Sequence, residues 1–136
     1  MTERPDRETI TPSQMSATSE RARYSPAVKV ANTGHTLYIA GQVGRNPDRS
    51  VDADPETQIT RAWENLGLVL AEAGASFGDV VDIVSYHTNM TTELGIFAKT
   101  KNQYITEDFP AWTAIGCTAL AEPALICEIK ATAVVG

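Results

Sequence analysis

Between Asp54 and Gly74 the chain spells out a helix with both ends marked, and this fixes the middle of any fold it can adopt. The Asp54 carboxylate can accept from the free N–H groups of a first turn, Pro55 suits the first helical position, and Gly74 suits a left-handed C-terminal cap. Between them Ile59, Trp63, Leu66 and Leu70 recur at i, i+4, i+7 and i+11, with Ala62 and Val69 alongside. That pattern is one apolar stripe on a helix of about 19 residues. A helix with a single stripe needs an apolar surface to lie on.

The rest of the sequence supplies strands for that surface. Val28–Val30 and Thr36–Ala40 are short β-rich runs separated by Asn32-Thr33-Gly34, and they are expected to form a hairpin. Asn46-Pro47-Asp48 is a turn signal, and Val80 to Met90 reads as a strand in which Val, Ile, Tyr and Thr alternate about Asp82, Ser85 and His87. A second helix should start near Thr91 or Thr92 and place Leu94, Phe97 and Tyr104 near one face. Pro110 breaks the chain, and two last strands, about 111–119 and 124–134, are expected to turn through Ala121-Glu122-Pro123. The order ββ-α-β-α-ββ predicts an α+β domain with a largely antiparallel sheet and both helices on one face. The other face is left for a second copy of the chain, which predicts an oligomer.

Residues 1–23 are rich in Thr, Ser, Glu and Arg, contain Pro5 and Pro12, and show no periodicity. They are expected to form a flexible or loosely attached extension, followed by a single domain over 24–136. With 43% hydrophobic and 21% charged residues over 136 positions, the chain is otherwise ordinary for a globular protein. The net charge of −6 arises after the balanced first 23 residues, and no Lys/Arg cluster is present, which argues against a nucleic-acid partner. No apolar run is long enough to cross a bilayer, and the N-terminus lacks the apolar middle of a secretory signal, so a cytoplasmic location without a membrane partner is expected. Cys117 and Cys127 are then expected as reduced thiols, and with His35 and His87 they match no zinc spacing.

Turning the last hairpin about Glu122 sets Gly116 opposite Glu128, Ala114 opposite Lys130, Trp112 opposite Thr132, and Cys117 opposite Cys127. Trp112, Ala114, Gly116, Glu128, Lys130 and Thr132 then share one face, while Thr113, Ile115, Cys117, Cys127, Ile129 and Ala131 share an apolar one. On the first face, two small residues leave a hollow beside a Lys and a Glu, bounded by an indole. Such a hollow suits a small-molecule pocket. Spacing leaves a second reading open, in which Lys130 and Glu128 neutralise each other at a solvated edge and Trp112 only packs. His87 is similarly either a structural, hydrogen-bonded residue or a catalyst. Cys117 and Cys127 read as a pair of buried thiols, because no nearby cation would favour a thiolate.

Several separated segments also recur together: Tyr24-Ser25-Pro26-Ala27, Leu37-Tyr38-Ile39-Ala40-Gly41-Gln42, Asn65-Leu66, Val80-Val81, Phe97 with Tyr104, Phe109-Pro110-Ala111-Trp112-Thr113-Ala114, and Glu128-Ile129-Lys130-Ala131. In this order, over about residues 24–135, they resemble the Rid family, the reactive intermediate deaminase or YjgF-type proteins often labelled endoribonuclease L-PSP. The resemblance implies a chorismate-mutase-like fold and a homotrimer with sheets inward, helices outward and a cleft at each subunit boundary. Deaminases of the family hydrolyse enamines and imines to a 2-oxo acid and ammonia without a cofactor.

In those enzymes an Arg after Pro-Ala binds the substrate carboxylate, and a Glu on the last strand positions or activates water. Carried onto this chain, the Arg position is Trp112 and the water-activating Glu position is Lys130, with Glu128 matching an earlier acid. An Asn of the second helix falls at Lys101, and the Ser before Gly-Gln is Ala40. An indole cannot make the two-pronged contact of a guanidinium with a carboxylate, and a charged Lys cannot accept a proton from water. The match is therefore to a divergent branch carrying Pro-Ala-Trp-Thr.

The expected catalytic residues are Lys130, Glu128 and His87, with substrate contacts from Trp112, Tyr24, Lys101, Ala114, Gly116 and Gly41, and with no cofactor or metal. Two functions follow. One is a hydrolase or deaminase-like enzyme on a small metabolite, and the other a non-catalytic trimer that binds a small molecule or docks a partner. RNA cleavage, which the family label suggests, fits the acidic charge balance least.

Overall fold

The computed structural model describes residues 6–31 and 34–136. The chain begins with strand β1 (Arg7–Ile10), a single 3-10 turn (Ser13–Met15) and helix α1 (Ser16–Ala22). Strands β2 (Ala27–Val30) and β3 (His35–Val43) follow, then helix α2 (Pro55–Glu72), strand β4 (Val80–His87), helix α3 (Met90–Tyr104), and strands β5 (Ala111–Gly116) and β6 (Cys127–Val135).

The marked helix forms where its signals put it. The Asp54 side chain accepts from the Thr57 N–H, Pro55 opens the helix, and Gly74 follows the C-cap residue Ala73 with φ +75°. Its stripe of Ile59, Ala62, Trp63, Leu66 and Leu70 is buried against Phe97 of α3 and against Ile39, Ile83, Ile129, Ala131 and Ala133 of the sheet. Trp63 is the centre of this layer, with the rings of Phe97 and Tyr104 at 5.4 and 5.8 Å. Gln58 is the one polar residue set fully into that stripe, and all its polar atoms are used. Its Nε2 donates to the carbonyls of Asp52 and Ala124, and its Oε1 accepts from the Ile126 N–H, which ties the approach to β6 onto α2.

The main sheet runs in the order β3-β6-β4-β5, with β6 antiparallel to both β3 and β4, and β5 parallel to β4. The fold is α+β as expected, with α2 and α3 on one face. Two pairings differ from expectation. β2 does not form a hairpin with β3 but pairs antiparallel with β1 in a separate two-stranded sheet; Asn32 and Thr33 of the expected turn lie outside the described residues. β5 and β6 do not form a hairpin either, because β6 inserts between β3 and β4. Turn residues between two strands require only that the chain change direction there. They do not select the partner.

The expected loose extension also carries regular structure over its described part, residues 6–23. Arg7 fastens β1 to the domain by donating to the carbonyls of Gly78, Val80 and Asp108. Ser25, just beyond α1, donates from its N–H to the Pro110 carbonyl and from its hydroxyl to that of Phe109. Among the described residues, no helix is long and apolar enough to cross a membrane.

The face of the main sheet away from α2 and α3 stays open. On it Tyr38 is 82% exposed and Ile115 39% exposed, with Thr113 and Lys130 exposed beside them. Large apolar groups on an uncovered sheet face are the feature expected of a self-associating chain.

Candidate functional site

The strand order divides the expected pocket in two. Parallel pairing sets Ile83 beside Trp112, Ser85 beside Ala114 and His87 beside Gly116. On its other side β4 sets Ser85 beside Ile129, His87 beside Cys127, Val84 beside Lys130 and Tyr86 beside Glu128. Paired residues share a face, so Trp112, Ala114, Gly116, Ser85 and His87 stand on the helix-covered side, whereas Glu128 and Lys130 stand on the open side. Trp112 and Lys130 therefore do not line one hollow within a chain. The hairpin register fails because β5 has another partner; Thr113 and Ile115, expected in the core, are exposed for the same reason.

On the helix side the polar groups form a chain. The Trp112 indole N–H donates to Ser85 Oγ at 2.9 Å, and that oxygen lies 2.8 Å from His87 Nε2. His87 Nδ1 faces Glu93 Oε1 at 3.6 Å, while the other Glu93 oxygen accepts from the Asn89 N–H and the Thr88 hydroxyl at the start of α3. Burial pushes the His87 pKa down; it pushes the Glu93 pKa up, partly offset by the bonds from Asn89 and Thr88. Both effects favour uncharged forms. Phe97 meets the His87 ring edge-on at 4.7 Å and lies 6.0 Å from the Trp112 ring.

Lys101 packs against Trp112. Its Nζ sits 4.8 Å over the indole and donates to the Arg23 carbonyl and to Asn102 Oδ1. Burial, and then the Arg23 charge, lower its pKa to about 8. Lys101 is nevertheless only 1% exposed and His87 is fully buried, so neither can touch a ligand from this position. The strip Trp112–Ala114–Gly116 does reach solvent. Its first two residues are half-buried, and at exposed Gly116 an added Cβ would meet nothing within 4 Å. Because β5 is an outer strand, this strip lies at the rim of the sheet.

On the open side Glu128 folds over Gly41, where β3 is irregular between Ile39 and Gln42; a Cβ on Gly41 would overlap the Glu128 carboxylate. Lys130, two residues along, has its Nζ 3.5 Å from the Ile39 carbonyl and is exposed. Tyr24 belongs to neither group. It lies past the end of α1 in a surface depression lined by Thr9, Ser19, Ser25 and Phe109. Sequence reasoning missed Ser85 and Glu93. Ser85 was legible through its i, i+2 relation to His87 on one strand, but Glu93 reaches His87 only through the docking of α3. Among the described residues, no group of three or more His, Cys, Asp or Glu side chains is gathered to hold a metal ion.

The family described as endoribonuclease L-PSP matches residues 14–135. RutC family protein YjgH of Escherichia coli is 36% identical over 100 residues, covering 73% of this chain and 74% of that protein. A 2-iminobutanoate/2-iminopropanoate deaminase of Mus musculus is 30% identical over 124 residues, 90% of each chain. Among solved structures, the protein YyfB of Yersinia pestis, described as of unknown function within the conserved Rid family, superposes with a TM-score of 0.84 at 37% identity, covering 95% of this chain and 98% of that one. The matched span takes in the whole main sheet and both helices packed on it, so the chain belongs to the Rid family, the YjgF or L-PSP proteins.

Proposed function

We propose that the protein assembles as a homotrimer and hydrolyses small imine- or enamine-like metabolites without a cofactor, in clefts where subunits meet. One observation carries this reading: the ligand-accessible halves of the expected pocket lie on opposite faces of one sheet. A cleft using both is completed by setting the Trp112–Ala114–Gly116 rim of one copy against the open face of another.

In that cleft Glu128 takes the general-base role, since His87 is sealed and a charged Lys130 cannot accept a proton. Water gives its proton to Glu128 as its oxygen adds to the imine carbon. Glu128 returns that proton to the nitrogen to give the carbinolamine, then carries the hydroxyl proton to the nitrogen as the C–N bond breaks, so that ammonia leaves and a carbonyl remains. Lys130 supplies positive charge for an anionic group of the substrate, and Trp112 supplies an apolar wall. The mouse relative's name denotes imines that carry a carboxylate, which fits a cation in this position.

The test generates imines in situ from small amino acids with an amino-acid oxidase and lets semicarbazide compete for them. Wild-type protein should suppress semicarbazone formation, and Glu128→Gln should lose about 100-fold of the rate. Light scattering should give three times the chain mass. A monomer, or no acceleration for any imine, overturns the reading; retention of an unchanged ligand would then favour the non-catalytic alternative.

A further inference from the structure

The indole fixes the first hydrogen bond of the groups linking Trp112 to α3, and the His87 tautomer sets the second. An indole N–H can only donate, so Ser85 Oγ accepts from Trp112. The Ser85 hydroxyl proton is then free to point at His87 Nε2, which accepts it if that nitrogen carries no proton. The ring proton then resides on Nδ1, which faces Glu93 Oε1. Glu93 accepts the Asn89 N–H and the Thr88 hydroxyl on its other oxygen, which leaves Oε1 as the oxygen turned toward the ring.

We infer that Ser85, His87 and Glu93 are positioning residues for Trp112, a buried polar row from the indole to the first turn of α3, hydrogen-bonded from Trp112 through Ser85 to His87 and with Glu93 facing the ring at 3.6 Å, that sets the angle at which the indole meets a ligand. The role rests on the reading above that Trp112 lines the cleft. The same three residue types occur in nucleophilic triads, but Ser85 is fully buried and its oxygen already receives the indole proton. Positioning is the role this geometry allows. The titratable groups packed around His87 are Glu93 from α3 and Cys127 from β6; β5 presents Gly116, and Lys101 lies over the indole. No cation directly faces the ring from these elements.

The inference is tested first by nitrogen NMR of the imidazole rings, which needs no substrate. At neutral pH His87 should carry its proton on Nδ1 and leave Nε2 bare. A proton on Nε2, or a doubly protonated ring, overturns the assignment. Second, Ser85→Ala should shift the Trp112 indole N–H resonance and raise KM for the imine about tenfold with little change in kcat, while Ser85→Thr, which keeps the hydroxyl, should restore both. An indole resonance unmoved by Ser85→Ala overturns the inference, as does an unchanged KM in an active enzyme. Should the wild type turn over no imine, the proposed function fails, while the tautomer and the indole resonance still decide whether the chain exists.

Discussion

Trp112 and Lys130 project from opposite faces of the same sheet, two strands apart, the first onto Phe97 and the second into solvent. Their substitutions should therefore separate. Trp112→Ala removes a half-buried indole and leaves the Ser85 hydroxyl without its donor, at a cost of about 3 kcal/mol. Lys130→Ala should change stability by no more than about 0.5 kcal/mol. Urea unfolding of the two variants measures this, and equal losses would contradict the assignment of faces.

Gly41 and Gly44 flank the same stretch of β3 but meet different obstacles. A Cβ on Gly41 overlaps the Glu128 side chain, which can swing away, whereas one on Gly44 overlaps the backbone carbonyl of Gln58. Gly44→Ala should cost more stability than Gly41→Ala, by about 1 kcal/mol or more. Gly41→Ala should show its main effect on imine turnover, because it displaces the proposed base. A variant of Gly41 that retains full turnover would remove Glu128 from that role.

Lys101 gives a pH dependence of definite sign. Its pKa falls from the ordinary 10.5 to about 8 in the folded protein, so between those values the unfolded chain holds a proton that the folded chain has released. Stability from this group therefore rises as pH rises from about 8 to 10.5. Lys101→Met lacks the effect. The stability of the variant relative to wild type should drop through that window, and a constant difference in denaturant titrations at pH 7, 9 and 10.5 would refute it.

Cys127 is fully buried on the helix-covered side of the sheet, and burial, with the Glu93 and Glu128 charges, pushes its thiol up to about 12. Cys117, expected to be buried with it, is only half-buried, because β5 pairs with β4 and not with β6. Iodoacetamide near pH 8 should add one group per native chain, at Cys117, and a second only after denaturation. Intact-mass measurement reads the count, and early modification of Cys127 would contradict its burial.

What the sequence determined by itself was local structure with strong end signals or a clear period; the short α1, which has neither, went unread. The Asp54, Pro55 and Gly74 signals and the 3.6-residue stripe set α2, and alternation along β6 marked Cys127, Ile129 and Ala131 as facing the core. The Rid resemblance rested on segments of this local kind. The tertiary structure alone decided which strands pair. Pairing is non-local: the energy of a ladder depends on a partner tens of residues away, and β6 gains two neighbours by inserting between β3 and β4 where a hairpin with β5 would give it one. With the side-chain period fixed at two, a change of partner and register moves whole rows of side chains between faces. Trp112 and Lys130, which a hairpin would have joined, were thereby separated, and His87 was brought under Trp112 and against Glu93.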